Sequence, residues 1–415
     1  MIIIRPFAAL RPQSGLESKI ASRPYDVLSS EEARQEAKGN EKSFYRVIKP
    51  EINLDSTKPS TKEAQYAAAK NALEEFIREG WLQYDQKESY YIYRQKMMDN
   101  DQYGLVCLSS VDDYMNDRIK KHEYTRPAKE EDRIHHMYTI GAHPGPVFLA
   151  HHHMAELAAI KKSWCASNKP DFSFTSEDDV LHEGWTIDDD QTIEAITALF
   201  SRNVSQTYIA DGHHRSAASA KVGLRMREES RDSKESYESF LSVIFDEEEL
   251  DIWDYNRVVK DLNGYNPTEF LHAIAEHFEI TPLEEAYKPQ EKYSYGMMLG
   301  NQWYRIDLKQ THDVGQGIES LDIQVLSDLV LNPILGIKDQ RTDPRIGFVG
   351  GIRGMNGLSN RVKSGQWALA FSIHPVSMKE LFDVADSGEV MPPKSTWFEP
   401  KLRSGLFINH FNRKQ

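Results

Sequence analysis

Apolar residues fall along this chain in short runs separated by longer stretches of mixed polarity. Ile2, Ile3 and Ile4 form the first run and predict a strand entering Arg5-Pro6-Phe7. Residues 90–93 and 105–108 predict two more strands, and the stretches around 180–187, 208–210 and 240–245 a further three. Between them lie helical patterns. Arg23-Pro24-Tyr25-Asp26-Val27 is an extended segment, after which Ser29 or Ser30 caps a helix through Glu36. Residues 62–79 carry Ala68, Leu73, Phe76 and Ile77 on one side of a helix, and residues 111–119 also read as helical. A charged helix starts near Pro127 with Glu130, Glu131, Asp132 and Arg133, and residues 216–227 are rich in the helix formers Ala, Leu, Met and Arg. Residues 51–62 and the charge-crowded residues 228–238 predict loops.

The pattern shifts at Asn263-Gly264-Tyr265-Asn266. Asn266 and Pro267 suit the cap and first turn of a helix burying Phe270, Leu271, Ile274 and Phe278. Gly300-Asn301 then separates two apolar runs as a two-residue hairpin turn, followed by a helix over 321–331 and a strand over 367–373. Strands and helices alternate throughout, which predicts an α+β fold with a mixed sheet. The expected division is an N-terminal core, residues 1–262, and a C-terminal α+β part, residues 263–415.

Composition narrows the function. The chain has 415 residues, 40% hydrophobic and 27% charged, within the ordinary range for a globular protein. Its net charge of −14 argues against nucleic acid as a partner, since phosphate backbones need a basic surface. A local basic pocket for a nucleotide is still compatible with it. Cys107 and Cys165 have no metal-ligand spacing and are expected to be buried structural thiols in a reducing compartment. No apolar run is long enough to cross a membrane, and the apolar start is too short for a signal peptide. These features predict a cytoplasmic protein without membrane contact; the oligomeric state is left open.

One stretch stands out chemically. Tyr208-Ile209-Ala210-Asp211-Gly212-His213-His214-Arg215 runs from a predicted strand through glycine into a predicted helix. Such a joint aims the helix's first N–H groups at whatever lies above the turn, which suits phosphate. His213, His214 and Arg215 add side-chain donors, and Asp211 adds a carboxylate for metal or proton work. The stretch is neither a Walker A loop nor a Rossmann fingerprint.

Three other segments are candidates. Lys121-His122-Glu123-Tyr124-Thr125 places a base, an acid and hydroxyls past a helix end, where Glu123 is suited to general-base work. Met391-Pro392-Pro393-Lys394-Ser395-Thr396 presents a cation and two hydroxyls from a rigid backbone. His151-His152-His153 and His135-His136 are discounted as metal sites, because consecutive side chains in regular structure do not face one ion.

Together these motifs resemble a large bacterial family labelled domain of unknown function 1015. The resemblance rests on Arg5-Pro6-Phe7, the Arg23–Val27 segment, the Lys121–Thr125 segment with Glu131-Asp132-Arg133, Ala210-Asp211-Gly212-His213-His214-Arg215, Tyr255-Asn256-Arg257, and the 391–396 stretch with Pro400-Lys401 and Gly405-Leu406. Where the common form of the family has Pro-Thr-His-Arg or Pro-Tyr-His-Arg, this chain has Asp254-Tyr255-Asn256-Arg257. The Asp-Gly-His-His-Arg element is also similar to that of archaeal free-serine kinases of the ParB/sulfiredoxin-like fold.

The resemblance implies a phosphotransferase that makes O-phospho-L-serine from L-serine, with ATP or ADP as donor and Mg²⁺. It implies catalytic roles for Glu123, Asp211 and His214, with Asp211 also the metal ligand. Nucleotide contacts would come from Gly212, His213, Arg215, Lys394 and Ser395, and substrate contacts from Arg23, Tyr25, His122 and Thr125. The alternative is a non-catalytic nucleotide-binding regulator of ParB-like type.

Overall fold

The structure is a computed structural model that describes residues 1–229 and 236–411. Most of the loop expected over 228–238 lies outside the described residues. The chain divides into two units: residues 1–121, 125–250 and 400–415 form the first, and residues 122–124 and 251–399 the second.

In the first unit the aromatic run at 90–93 opens a longer strand, Tyr90–Met97, which turns through Met98 and Asp99 into Asn100–Ser110. These two strands sit within a nine-stranded mixed sheet. Its order is Ile119–Lys120, Thr207–Asp211, Val147–His151, Ser239–Asp246, Asn100–Ser110, Tyr90–Met97, Leu181–Ile187 and Phe172–Thr175, with Ile4–Arg5 added beside Asn100–Ser110. Two pairings are parallel: Thr207–Asp211 with Ile119–Lys120, and Ser239–Asp246 with Val147–His151. The second of these strands, Ser239–Asp246, is buried along its whole length, as a strand covered on both faces should be.

One cluster, including Ile4, Ile92, Leu149, Ile209 and Ile244, fills one side of the sheet beneath Leu157, Ile196 and Phe200. Another gathers Leu10, Phe44, Leu73, Phe76 and Ile408 around the helix Lys62–Arg78. A third joins the helices Pro127–Ile140 and His213–Glu229 through Ile134, Met137, Ala218 and Val222. Cys107 is buried in the first cluster and Cys165 packs at its edge; both are free thiols, pushed up by burial to about 12 and about 11.

The second unit is built on a six-stranded antiparallel sheet ordered Phe278–Leu283, Gln302–Leu308, Ser294–Leu299, Leu369–Ser372, Tyr255–Val259 and Ile346–Gly350. The hairpin at Gly300-Asn301 has Leu299 facing Gln302, and Gly300 takes a φ of 58°, the conformation a primed turn demands. Asn266 caps Pro267–Ile274 in a reciprocal capping box with Glu269.

Several elements differ from the sequence pattern. Helix 111–119 stops at Met115, because Asp117 adopts a positive φ of 55° and Ile119–Lys120 joins the sheet instead. Phe278 leaves the helix after Ile274 and opens a strand. The helix over 321–331 is α-helical only for Asp322–Leu326 and widens to i→i+5 bonding over Ser327–Leu331. The first unit's long stretch ends at Leu250, and Tyr255–Val259 is an interior strand of the second sheet, between Leu369–Ser372 and Ile346–Gly350. Residues 400–415 belong to the first unit, where Asn409–His410 pairs with Ala142–His143.

Three buried histidines of the first unit shape its pH response. His136 gives its Nε2 proton to the Val47 carbonyl, His143 lies against Asn409, and His182 stands between Tyr93 and Arg403. Burial pulls each down from 6.5 to about 3. The unfolded chain therefore binds protons that the folded chain refuses as pH falls below about 6.5. Their contribution to stability is complete above that value and is lost progressively toward pH 3, as each histidine is driven to take up a proton. Urea titrations should give a clearly lower midpoint at pH 5 than at pH 7; equal midpoints would contradict the assignment.

Candidate functional site

The strand Thr207–Asp211 is buried up to Ala210 and pairs with Val147–His151, with a register shift between Ile209 and Asp211. That irregularity lets the chain turn out of the sheet at Asp211. Gly212 follows with φ of 94°, a conformation that disfavours any side chain. A Cβ at this position would also stand 3.1 Å from Arg215 Nε and 3.2 Å from its Cζ. Glycine is required twice over, for the turn and for the guanidinium lying against it. His213 then begins the helix, which Ser216 stabilises by donating N–H and Oγ–H to the Gly212 carbonyl. The positive end of a 17-residue helix thus stands at the turn.

The side chains around the turn form a largely buried charged cluster in the first unit. Gly212 N–H donates to Asp211 Oδ1 at 2.8 Å, and Lys401 Nζ donates to Asp211 Oδ2 at 3.1 Å. Arg215, 8% exposed, donates to the Pro146 carbonyl and lies 4.0 Å from Asp211 Oδ2. Its Nε is buried without a hydrogen-bond partner, and so is the Tyr25 hydroxyl. The Arg133 guanidinium stacks 4.2 Å from the Tyr25 ring centre. Burial and Asp26 push the Tyr25 phenol well up, against the opposing pull of Arg133 and Arg215. A buried, neutral hydroxyl beside two guanidinium groups is the donor set of an anion site.

The helix Pro127–Ile140 adds a buried acid. Glu130 accepts from Thr125 Oγ1 at 2.6 Å and pairs with Lys221 of the helix His213–Glu229. Burial alone would raise this carboxyl, but Lys221, Thr125 and His214 together hold it below its usual range. Thr125 and His214 are therefore linked through Glu130. Arg23 lies elsewhere: it pairs with Glu36 and lines a cavity of about 450 Å³ with Tyr45, Asp178 and Arg403.

The second unit holds the remaining candidates. Arg257, fully buried, donates to the carbonyls of Tyr255, Pro393 and Lys394 and to Gln340 Oε1. Burial pulls its guanidinium down to about 9, while Tyr255 and the nearby Glu123 pull it up. With four acceptors around it, the group remains charged at neutral pH. These bonds fix the 393–394 backbone, where Lys394 has a φ of 60° and its ammonium lies 5.8 Å from the Tyr255 ring centre. Ser395 Oγ closes the turn by donating to the Pro392 carbonyl at 2.6 Å. His122 joins the same group, with Nε2 3.2 Å from Thr396 Oγ1 and its carbonyl accepting from Met391 N–H. Asn256 donates to Asp254 and accepts from Ile373 N–H, a purely internal role.

The structure thus gathers Tyr25, Thr125, Asp211, Gly212, His213, His214 and Arg215 in one unit, and His122, Glu123, Lys394 and Ser395 in the other. Sequence reasoning gave no role to Arg133, Glu130, Lys221, Lys401 or Arg257. Glu130 and Arg133 carried a signal: they share a helical face with Ile134, Met137 and Ile140, where charged residues are rare unless paired. Both Asp211 oxygens are already engaged, Oδ1 by Gly212 N–H and Oδ2 by Lys401, so a cation there would have to share the carboxylate with Lys401.

Residues 4–324 match the model of the family described as "Protein of unknown function (DUF1015)". The chain belongs to this family. The match covers the Asp211–Arg215 turn of this DUF1015 protein and ends before the 391–406 motifs. No curated protein matches it. Among solved structures it is similar to a free serine kinase in complex with AMP, at 15% identity and TM-score 0.36, over 71% of this chain and 86% of that one. A conserved hypothetical protein from Pyrococcus furiosus is similar at 15% identity and TM-score 0.35, over 74% and 95%. SbnI from Staphylococcus aureus, with a C-terminal truncation, is similar at 14% identity and TM-score 0.39, over 75% and 90%. Among the described residues no helix is long and apolar enough to cross a membrane.

Proposed function

We propose that this DUF1015 protein is a nucleotide-dependent small-molecule kinase that phosphorylates L-serine. The observation that carries the reading is the Asp211–Arg215 turn: a helix N-terminus, a glycine that admits close approach, and a buried cationic lining with donors left over at Tyr25 and Arg215. The likeness of Asp-Gly-His-His-Arg to the free-serine kinase element supplies the acceptor.

In this scheme the nucleotide phosphates sit on the helix N-terminus, held by N–H groups of its first turn and by Arg215. Phosphoryl transfer asks chiefly for positioning and charge neutralisation, which a helix terminus and guanidinium groups supply. Mg²⁺, held by Asp211 and the phosphates, would neutralise charge on the transferring group. His214 acts beside Asp211, and Glu123 is the base that takes the serine hydroxyl proton. That oxygen bonds to the terminal phosphorus, and the nucleotide leaves one phosphoryl group shorter. Tyr25 and Thr125, in the same unit as the turn, are assigned to the amino acid.

The experiment is direct. Purified protein is incubated with L-serine, Mg²⁺ and either ATP or ADP, and the products are resolved by mass spectrometry. The expected product is O-phosphoserine. Its absence with both nucleotides would overturn the serine-kinase reading, and nucleotide binding without turnover would favour a regulator.

A further inference from the structure

The three consecutive histidines play no part in the proposed phosphoryl transfer, and the fold puts them in an unexpected setting. Val147–His151 and Ser239–Asp246 are neighbouring parallel strands, with His151 across from Asp246. Both chains leave the sheet at the same end. One continues as His152, His153 and Met154; the other enters a helical turn, Glu247–Glu249. Two sequence-distant polar runs, one rich in imidazole and one in carboxylate, are thereby brought together in the first unit.

We infer that His153, Asp246 and Glu248 form a binding site for a divalent first-row transition-metal ion. One ligand atom from each lies within 4.8 Å of the other two. His153 Nδ1 is 2.8 Å from Asp246 Oδ2 and 3.3 Å from Glu248 Oε2. A metal with bonds of about 2.1 Å holds neighbouring ligand atoms roughly 3 Å apart, so the trio needs little adjustment to close on one ion. Asp246 is not a loose surface acid: it is 2% exposed, and its Oδ1 accepts from Glu248 N–H at 3.0 Å while Oδ2 also faces Met154 N–H. The central ligand is thus fixed before any ion arrives.

The surroundings fit the assignment. Glu247 Oε1 accepts from His152 Nδ1 at 2.9 Å and faces His153 N–H at 3.3 Å, which orients the peptide carrying the ligand histidine. His151, paired in register with Asp246, is 1% exposed, and its Nε2 has no hydrogen-bond partner. Lys161 is paired with Glu249, which leaves the charge of Asp246 and Glu248 for the ion. Two carboxylates balance a divalent cation, and the imidazole selects a transition metal over magnesium or calcium. The sequence argument against three adjacent histidines holds, since only one of them joins the trio and the other ligands come from the neighbouring strand.

The test titrates Co²⁺ into the full chain, freed of any histidine tag, and follows visible absorption and calorimetry. The expected result is one site per chain, with affinity weakened about tenfold or more in both His153→Ala and Glu248→Gln. With no nucleotide present, Asp211→Asn should keep the cobalt site that His153→Ala and Glu248→Gln weaken, which separates it from any metal at the glycine turn. Thermal melts confirm that each variant folds. Absence of cobalt binding at millimolar concentration, or equal affinity in folded His153→Ala, would overturn the assignment.

Discussion

Replacing Glu123 by glutamine is expected to lower kcat for serine phosphorylation by about 10²–10⁴-fold while leaving nucleotide affinity nearly unchanged. Glutamine keeps the size and the hydrogen-bonding reach of glutamate but cannot take a proton. An unassisted hydroxyl is a poor nucleophile, so the loss falls on the chemical step. Glu123 belongs to the second unit. It is half-buried beside the charged Arg257, whose four hydrogen bonds also fix the Pro393 and Lys394 carbonyls. Steady-state kinetics with a parallel nucleotide titration check the split. A near-normal kcat in Glu123→Gln would remove this residue from the role of base.

The second large effect is expected at the glycine turn. Arg215→Ala should weaken ADP binding about 10–100-fold, the equivalent of one charge-assisted hydrogen-bonded contact of about 1.5–3 kcal/mol. The guanidinium lies against Gly212, near enough that a Cβ there would touch it, and its Nε has no hydrogen-bond partner. It is therefore held in place by Pro146 and Asp211 with donor capacity left for an anion. Arg215→Lys keeps the charge but not the planar fork, and should recover only part of the affinity. Adenosine, which has no phosphate, should bind the wild type and both variants alike.

Much of this was legible in the sequence because it is local. The strand–glycine–helix joint at Asp211–His213, the Asn266-Pro267 cap and the Gly300-Asn301 hairpin each depend on residues adjacent in the chain. What escaped depends on partners far away. Nothing near Lys401 shows that it reaches Asp211, and nothing near Arg257 shows that it anchors the Pro393-Lys394 backbone. The return of residues 400–415 to the first unit is equally non-local, since it rests on pairings such as Asn409 with His143 and Ser22 with Ser404. Residues 111–119 depart from their helical pattern for a different reason. The apolar spacing continues to Ile119, but the positive φ at Asp117 ends the helix and hands Ile119 to the sheet, an override that helical periodicity does not encode.

The central claim is that the Asp211–Arg215 turn holds nucleotide phosphates. Calorimetric titration of the wild type and Arg215→Ala with ADP, AMP and adenosine tests it most directly. The account predicts that affinity rises with each added phosphate in the wild type and that this rise is largely lost in the variant. Equal affinities for the three ligands in the wild type, or an undiminished phosphate dependence in folded Arg215→Ala, would contradict it.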